Sequence, residues 1–146
     1  MSLEENKAVV RKFIEAYNKH DLSSIEDFVA PDFVDHTHQG GREGLKQLFA
    51  MAFKAFPDMH ETIEDIIAEG DKVWVRAIFT GTNTGEWMGL APTDKKVTSE
   101  MVDIYRIVNG KHVEGRFIGD QLDFLKKLGV VEYTEKGKKL FPEDTK

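Results

Sequence analysis

The dipeptide Asn109-Gly110 places the tightest constraint on the fold. It separates two segments of strand-like pattern, KVTSEMVDIYRIV and KHVEGRFIG. Both residues accept the positive φ of a two-residue hairpin loop, so the dipeptide predicts an antiparallel strand pair. If Val108 faces Lys111, the same register places Asp103 opposite Arg116, with both side chains on one face. A slip of one residue would exchange the two faces, so the register is itself a prediction.

That register assigns further pairs to the same face. Met101 is predicted to lie opposite Ile118, Tyr105 opposite Glu114, and Ser99 opposite Asp120.

Helical periodicity precedes this hairpin, and strand periodicity surrounds it. The predicted helices cover residues 3–19, 21–30, 42–56 and 121–129, and the predicted strands include a short segment near 33–36 and a first hairpin that turns at Gly70-Asp71. Helices followed by an antiparallel sheet predict an α+β fold and disfavour alternating βαβ units.

Length and composition restrict the class of protein. A chain of 146 residues with a net charge of −6 predicts one soluble domain, here residues 1–131 with a polar tail over 132–146, and disfavours a nucleic-acid partner. Cysteine is absent, which excludes disulfides, thiol nucleophiles and thiolate metal sites. The charged first residues and the lack of a long apolar run predict a cytoplasmic protein with no membrane partner.

Asp120 stands where the last strand gives way to the last helix. An acid at this junction is typical of a helix N-cap, which contributes about 1 kcal/mol. A carboxylate at the rim of an apolar pocket is the alternative, since desolvation would raise its pKa and suit it to acid-base catalysis. The two interpretations are compatible, and the residues alone favour the cap.

Histidines are the next candidates. His36 and His38 alternate on an extended segment and could face one side, but no third ligand is evident, so no metal site is predicted. Asp35 is within reach of orienting one of these rings. The remaining histidines, His20, His60 and His112, are interpreted as surface residues.

Arg76 and Trp87 are unusual for their surroundings. Arg76 interrupts the apolar strand VWVRAIF, where it would pair with Glu64 or Asp65, or hold an oxygen of a ligand. Trp87 lies in a glycine-rich loop, where a large ring favours ligand contact. For the other aromatic residues, core packing is the simpler interpretation; these are Tyr17, Phe53, Phe56, Phe79 and Phe117.

Taken in order, the segments FVDHTHQGG, AFPDMHETIEDIIAEGDKVWVR, GTNTGEWMGLAPT and DIYRIVNGKHVEGRFIGDQLDFLKKLG resemble the SnoaL-like polyketide cyclase family. That family belongs to the superfamily of ketosteroid isomerase and nuclear transport factor 2. The resemblance covers about residues 5–131. It implies a cone-shaped, curved antiparallel sheet wrapped by N-terminal helices around an apolar pocket, commonly in a homodimer.

The resemblance also implies a chemistry. Characterised cyclases of the family close the last ring of a polycyclic aromatic ester by an intramolecular aldol condensation, without metal or organic cofactor. Their acid-base residue corresponds to Asp120, and their other site positions correspond to Asp35 and His36 and to Arg76. The sequence departs from the family pattern at two positions. Asn83 stands where the family often has a histidine, and Arg116 stands where it commonly has a tryptophan. The charged side chain of Arg116 would hinder a large planar substrate if it lay in the pocket wall.

The sequence therefore predicts a cofactor-independent enzyme acting on an apolar, carbonyl-bearing small molecule. Asp120 would move the proton next to the carbonyl, while His36 and Arg76 would orient the substrate or stabilise an enolate. The predicted pocket residues are Tyr17, Phe53, Trp87, Met101, Asp103, Arg116 and Ile118. Two alternatives stay open: a non-catalytic carrier or sensor that uses the same pocket, and a scaffold that works through its dimer face.

Overall fold

A mixed five-stranded sheet organises the chain, and the computed structural model describes residues 1–142. The sheet is curved and open, with the strand order β1-β5-β4-β3-β2. The elements are α1 (Leu3–Asn18), α2 (Ser24–Phe28), β1 (Val29–Asp35), α3 (Gly41–Ala55), β2 (His60–Glu69), β3 (Lys72–Thr82), β4 (Lys96–Val108), β5 (Lys111–Gly119), α4 (Gln121–Leu128) and α5 (Glu135–Leu140). The α+β prediction is confirmed.

The main core lies between the helices and one face of the sheet, which we call the inner face. A capping box starts α1, because Ser2 and Glu5 each satisfy the other's backbone N–H. From α1, the side chains of Val10, Phe13 and Ile14 enter the core. They pack there with residues of the other helices and strands, chiefly Ile25, Val29, Phe33, Leu45, Val73, Val75, Ala77, Tyr105 and Ile107.

The predicted hairpin forms, but its register changes along the strands. Asn109 and Gly110 have positive φ of 52° and 76°, and Val108 pairs with Lys111 as predicted. Beyond Ile107 a β-bulge shifts the pairing, so Asp103 faces Phe117. The predicted pairing of Asp103 with Arg116 is therefore wrong. Since an extra residue on one strand exchanges its two faces, β5 turns different side chains inward from that point.

The second helix and the first strand also differ from the predictions. The second helix ends at Phe28, because Val29 and Ala30 already belong to β1. That strand pairs in parallel with β5, so the sheet is mixed and not purely antiparallel. Pro31 is accommodated because β1 lies at the edge of the sheet.

Asn83 anchors the loop between β3 and β4. Its buried side chain accepts hydrogen bonds from the backbone N–H and hydroxyl of Thr93 and donates to the carbonyls of Ala55 and Gly85. At Gly85 the loop passes so close to α3 that a Cβ atom would lie 1.9 Å from the carbonyl oxygen of Lys54. Asn83 thus holds the Trp87 loop in place.

The C-terminal segment contains the short helix α5 and a stacked contact between Tyr133 and Phe141. The polar tail predicted over 132–146 extends beyond the described residues at 143–146. Within residues 1–142, no helix combines the length and apolar character needed to cross a membrane.

Candidate active site

A cavity with two adjoining lobes separates α1 and α3 from the inner face of the sheet. The inner lobe has a volume of about 160 Å³ and the outer lobe about 200 Å³. Both lobes are lined by Tyr17, His38, Leu48, Ala52, Glu61, Met101 and Gln121. Phe13, Phe49 and Tyr105 enclose the inner lobe, and Phe56, Phe79, Trp87 and Phe124 enclose the outer one. The cavity is therefore mainly apolar and aromatic, as small-molecule sites usually are.

Two carboxyl groups interrupt this apolar lining. Glu61 from β2 is 8% exposed and Asp103 from β4 is 2% exposed. Among the described residues that line either lobe, there is no lysine or arginine to neutralise them. In addition, Asp103 Oδ1 is buried without a hydrogen-bond partner. Uncompensated acids in a buried site are costly, which makes them candidates for function.

Local structure fixes both acids. The Asn18 side chain donates to the Glu61 carbonyl at 2.9 Å and accepts from the Glu61 N–H at 2.8 Å, which holds the start of β2 against α1. Asp103 lies in the middle of the sheet, between Val75 on β3 and Phe117 on β5. Because both neighbours are strands, the Asp103 side chain must lie on one of the two faces of the sheet. It lies on the inner face, where it lines the inner lobe.

Burial controls the protonation of this acid pair. Desolvation raises the pKa of Asp103 to about 7, opposed in part by a hydrogen bond from the Tyr105 hydroxyl. Desolvation also raises the pKa of Glu61 well above its ordinary value, and the nearby charge of Asp103 raises it further. At neutral pH the pair therefore retains a proton that exposed carboxyls would have lost, and it can act as both acid and base.

Two tyrosine hydroxyls accompany the acids. Tyr105 Oη donates to Asp103 Oδ2 at 3.4 Å, and Tyr17 Oη lies 4.0 Å from the Met59 sulfur. Burial, together with the charges of the acid pair, raises the pKa of both phenols well above the ordinary value. Both phenols therefore stay protonated at neutral pH and are hydrogen-bond donors inside the cavity.

Four of the predicted site residues belong to this cavity. Tyr17, Met101 and Asp103 line its inner lobe, and Trp87 lines its outer lobe. Phe53 lies behind them, with its ring 5.3 Å from that of Tyr17 and stacked on His20. Its position supports the cavity wall.

Three predicted residues lie on the opposite, outer face of the sheet. Arg116 and Ile118 pair with Ile104 and Val102, whose side chains point away from the helices. The β5 bulge causes this placement, so the prediction that they line the pocket is wrong, and Arg116 does not obstruct a planar substrate. Arg76 also lies on the outer face, where it is bound by Asp65 at 2.7 Å and by Glu100 at 3.2 Å.

The two histidines of the first strand segment separate. His36 Nε2 lies 3.1 Å from Glu114 and lines a groove on the outer face. His38 instead lines both lobes of the cavity, and its Nδ1 lies 3.1 Å from Asp35 Oδ2. Asp35 is within reach of a ring, as predicted, but that ring is His38. No cluster of three or more metal-binding side chains occurs within residues 1–142.

Asp120 caps α4. Its Oδ1 accepts the backbone N–H of Asp123 at 2.9 Å, which confirms the capping interpretation. The side chain is exposed and does not belong to the lining of either lobe, whereas its neighbours Gly119 and Gln121 do. The cap therefore positions the mouth of the cavity.

Two buried titratable residues escaped the sequence analysis. Glu61 lies on the same strand face as Ile63. An acid at an inward-facing position of a strand is the sequence signal that could have identified it. His112 was expected on the surface but is 1% exposed, packed on Phe13 and Tyr105, with Nδ1 2.8 Å from the Phe28 carbonyl. Burial lowers its pKa to about 4.

Comparison with known proteins identifies the family of this chain. The model of the family described as SnoaL-like polyketide cyclase matches residues 7–128. The chain belongs to the SnoaL-like polyketide cyclase family. Among the curated relatives of this SnoaL-like protein is aklanonic acid methyl ester cyclase AcmA of Streptomyces galilaeus, 28% identical over 87% of this chain and 92% of the relative.

Solved structures agree with this assignment. AclR of Streptomyces galilaeus, described as a proposed hydroxylase, is 33% identical with a TM-score of 0.82, over 90% of this chain and all of that one. IdmH of Streptomyces antibioticus, a proposed polyketide cyclase, is 31% identical with a TM-score of 0.75, over 86% and 99% of the two chains. The SnoaL-like fold thus extends over most of this protein.

The raised pKa of Asp103 predicts a specific pH dependence of stability. Between its ordinary pKa of 3.8 and its folded value of about 7, the folded state holds a proton that the unfolded state has released. The free energy of unfolding therefore falls as pH rises through this window, by up to about 1.4 kcal/mol per pH unit. Asp103→Asn removes this contribution and also the part of the rise in the Glu61 pKa that the charge of Asp103 causes, so its stability relative to wild type should increase as pH rises above 5.

Urea unfolding of both proteins at pH 5, 6, 7 and 8 measures this difference. His112, whose depressed pKa makes stability fall as pH drops below its ordinary value of 6.5, acts in the opposite direction but equally in both proteins, so it cancels. Asp32→Asn, at an exposed carboxyl on β1, is the control. A constant difference between Asp103→Asn and wild type would show that Asp103 is ionised throughout.

Proposed function

We propose that this protein is a cyclase-type enzyme that moves a proton next to a carbonyl group of an apolar small molecule, with the acid pair Glu61 and Asp103 as its acid-base centre. The observation that carries the proposal is the burial of these two acids, without a cationic partner among the described lining residues, in an aromatic cavity. The family relationship supports the aldol chemistry, since AcmA is named for an ester cyclase activity.

The proposed reaction needs a base and a donor. The ionised member of the acid pair removes a proton from the carbon next to a carbonyl, and the electron pair forms an enolate. The protonated phenol of Tyr17, which lines both lobes, is the available neutral donor for the enolate oxygen, because the single O–H of Tyr105 is donated to Asp103 Oδ2. The enolate carbon then attacks a second carbonyl carbon of the same molecule, which closes a ring and leaves an alkoxide that takes up one proton.

Charge also limits the substrate. An anionic group would approach two buried acids in a cavity whose described lining offers no lysine or arginine. Repulsion is strong where water is excluded, so we propose that the substrate is neutral, with any carboxyl group esterified. Its aromatic part would occupy the outer lobe, against Trp87 and Phe124.

Aklanonic acid methyl ester, the substrate named for AcmA, tests this proposal. In D₂O, wild type is expected to exchange the proton next to the reacting carbonyl and to close the ring. Asp103→Asn and Glu61→Gln should each lower both rates about 100-fold or more, the usual range for loss of an acid-base group. Mass spectrometry measures exchange and liquid chromatography measures ring closure.

The same experiment separates the alternatives. Asp32→Asn should keep wild-type rates, and Asp120→Asn should keep them if Asp120 is only a cap. If Asp120→Asn loses both proton exchange and ring closure while Asp103→Asn and Glu61→Gln stay active, then Asp120 is the acid-base residue and the proposed role of the acid pair is wrong. Tight binding of the ester with neither exchange nor closure by wild type would favour the carrier and overturn the enzyme.

We further propose that two copies associate through the outer face of the sheet. Within residues 1–142 no helix covers this face, and Ile67, Trp74 and Ile118 are about half exposed or more on it. These apolar side chains lie among the charged groups of the same face, a mixture that can form an association site, and a twofold axis would pair the face with itself. The second copy is also what the family resemblance implies.

Substitution at the centre of this face tests the dimer. Trp74→Glu places a charge in the proposed interface and is expected to give a monomer in analytical ultracentrifugation, while wild type sediments as a dimer. Met51→Glu, at a similarly exposed apolar residue on α3, should remain dimeric. A monomeric wild type, or a dimeric Trp74→Glu, would contradict the proposal.

A further inference from the structure

We infer that His38 is the acid that protonates the new alkoxide oxygen, held in place for this step by Asp35. The inference rests on the proposed function, because it assigns a role within the same cavity. The family resemblance indicated Asp35 and His36 and not His38, and His36 lies in the outer groove.

Asp35 orients the His38 ring. The Asp35 carboxylate is almost wholly buried, and it accepts the backbone N–H groups of Thr37 and His38 at 2.8 Å in addition to the ring nitrogen Nδ1 of His38. A carboxylate that accepts from Nδ1 fixes the tautomer and leaves Nε2 to act on a ligand. Within residues 1–142, Nε2 has no hydrogen-bond partner.

The segment that carries His38 is held rigidly against β5. The Thr37 hydroxyl accepts the backbone N–H of Phe117, and the His36 N–H donates to the Gly115 carbonyl, so the two residues that precede His38 are both tied to β5. The His38 ring also packs against Phe117, with 5.5 Å between ring centroids. An acid-base group held by neighbours in this way is preorganised for its step.

The position of His38 in the cavity suits it to this step. His38 lines both lobes of the cavity, and its side chain is 37% exposed. It therefore lies at the mouth, where it contacts both a bound molecule and bulk water. The acid pair is buried, so proton exchange with solvent needs an intermediate group, and His38 is at the boundary.

The proton balance of the step is closed. The acid pair gains one proton from the substrate carbon when the enolate forms. His38, as imidazolium, gives its Nε2 proton to the alkoxide oxygen and becomes neutral imidazole with Nδ1–H still bonded to Asp35. One proton then passes from the acid pair to solvent and one from solvent to His38. Both groups regain their starting states, and the substrate has exchanged a C–H for an O–H.

This division of labour predicts different effects on the two measurable steps. With aklanonic acid methyl ester as the probe in D₂O, His38→Gln should keep the exchange of the carbon-bound proton and lose ring closure by about 100-fold. Asp103→Asn should lose both. His38→Ala should regain closure when imidazole is added, and Asp35→Asn should lower kcat for closure with little change in KM, because it misorients the ring without removing a cavity wall.

Controls make each failure distinct. His60→Gln, at an exposed histidine on β2, should keep wild-type rates. Closure at the wild-type rate by His38→Gln would overturn the role of His38 and leave the proposed function standing. Loss in His36→Gln with retention in His38→Gln would move the role to His36. If wild type neither exchanges nor closes the ring, the proposed function and this inference both fail.

Discussion

Desolvation of two carboxyl groups in one cavity is the constraint on which the rest of the site depends. Glu61 and Asp103 lie on different strands and reach the same inner lobe. If both were ionised there, each would lose its hydration and repel the other, so a retained proton is the cheaper state. Natural proteins keep such costly arrangements mainly at functional sites.

The sheet supplies the geometry that makes this possible. The β5 bulge turns Gly115 and Phe117 inward at one end and leaves His112 inward at the other. A Cβ atom at Gly115 would lie 2.9 Å from the Phe33 ring, so the glycine makes room for this core ring. With the charged Arg116 on the outer face, the inner wall beside Asp103 is apolar, which preserves the desolvation of the acid.

Much of this arrangement follows from local sequence, and the parts that do not have identifiable causes. The Asn109-Gly110 turn, the Asp120 cap and the Gly129 end of α4 depend on neighbours within a few residues, and each forms as predicted. The bulge could not be derived, because nothing in HVEG distinguishes a regular strand from one that gains a residue. It is favoured only when His112 and Phe117 are both buried on one face, which is a tertiary requirement.

Site residues show the same division. Asp103 was predicted to line the pocket and does so, because its face depends only on the alternation along β4, whereas Arg116 and Ile118 were misplaced because their face depends on the register of β5. The role of Asp35 in orienting a ring was foreseen, but which ring it binds depends on the bend between β1 and α3. Arg76 was predicted to pair with Glu64 or Asp65, or to hold an oxygen of a ligand, and in the structure it pairs with Asp65.

The ionisation of Asp103 is the central claim, and ¹³C NMR of aspartate carboxyls across pH 3 to 9 measures it directly. The account predicts one aspartate carboxyl that titrates near pH 7, absent from the spectra of Asp103→Asn and accompanied by a carboxyl of Glu61 that titrates far above ordinary glutamates. If Asp103 loses its proton below pH 5, with the exposed acids, the cavity hydrates its carboxylates and cannot hold the proton that the mechanism requires.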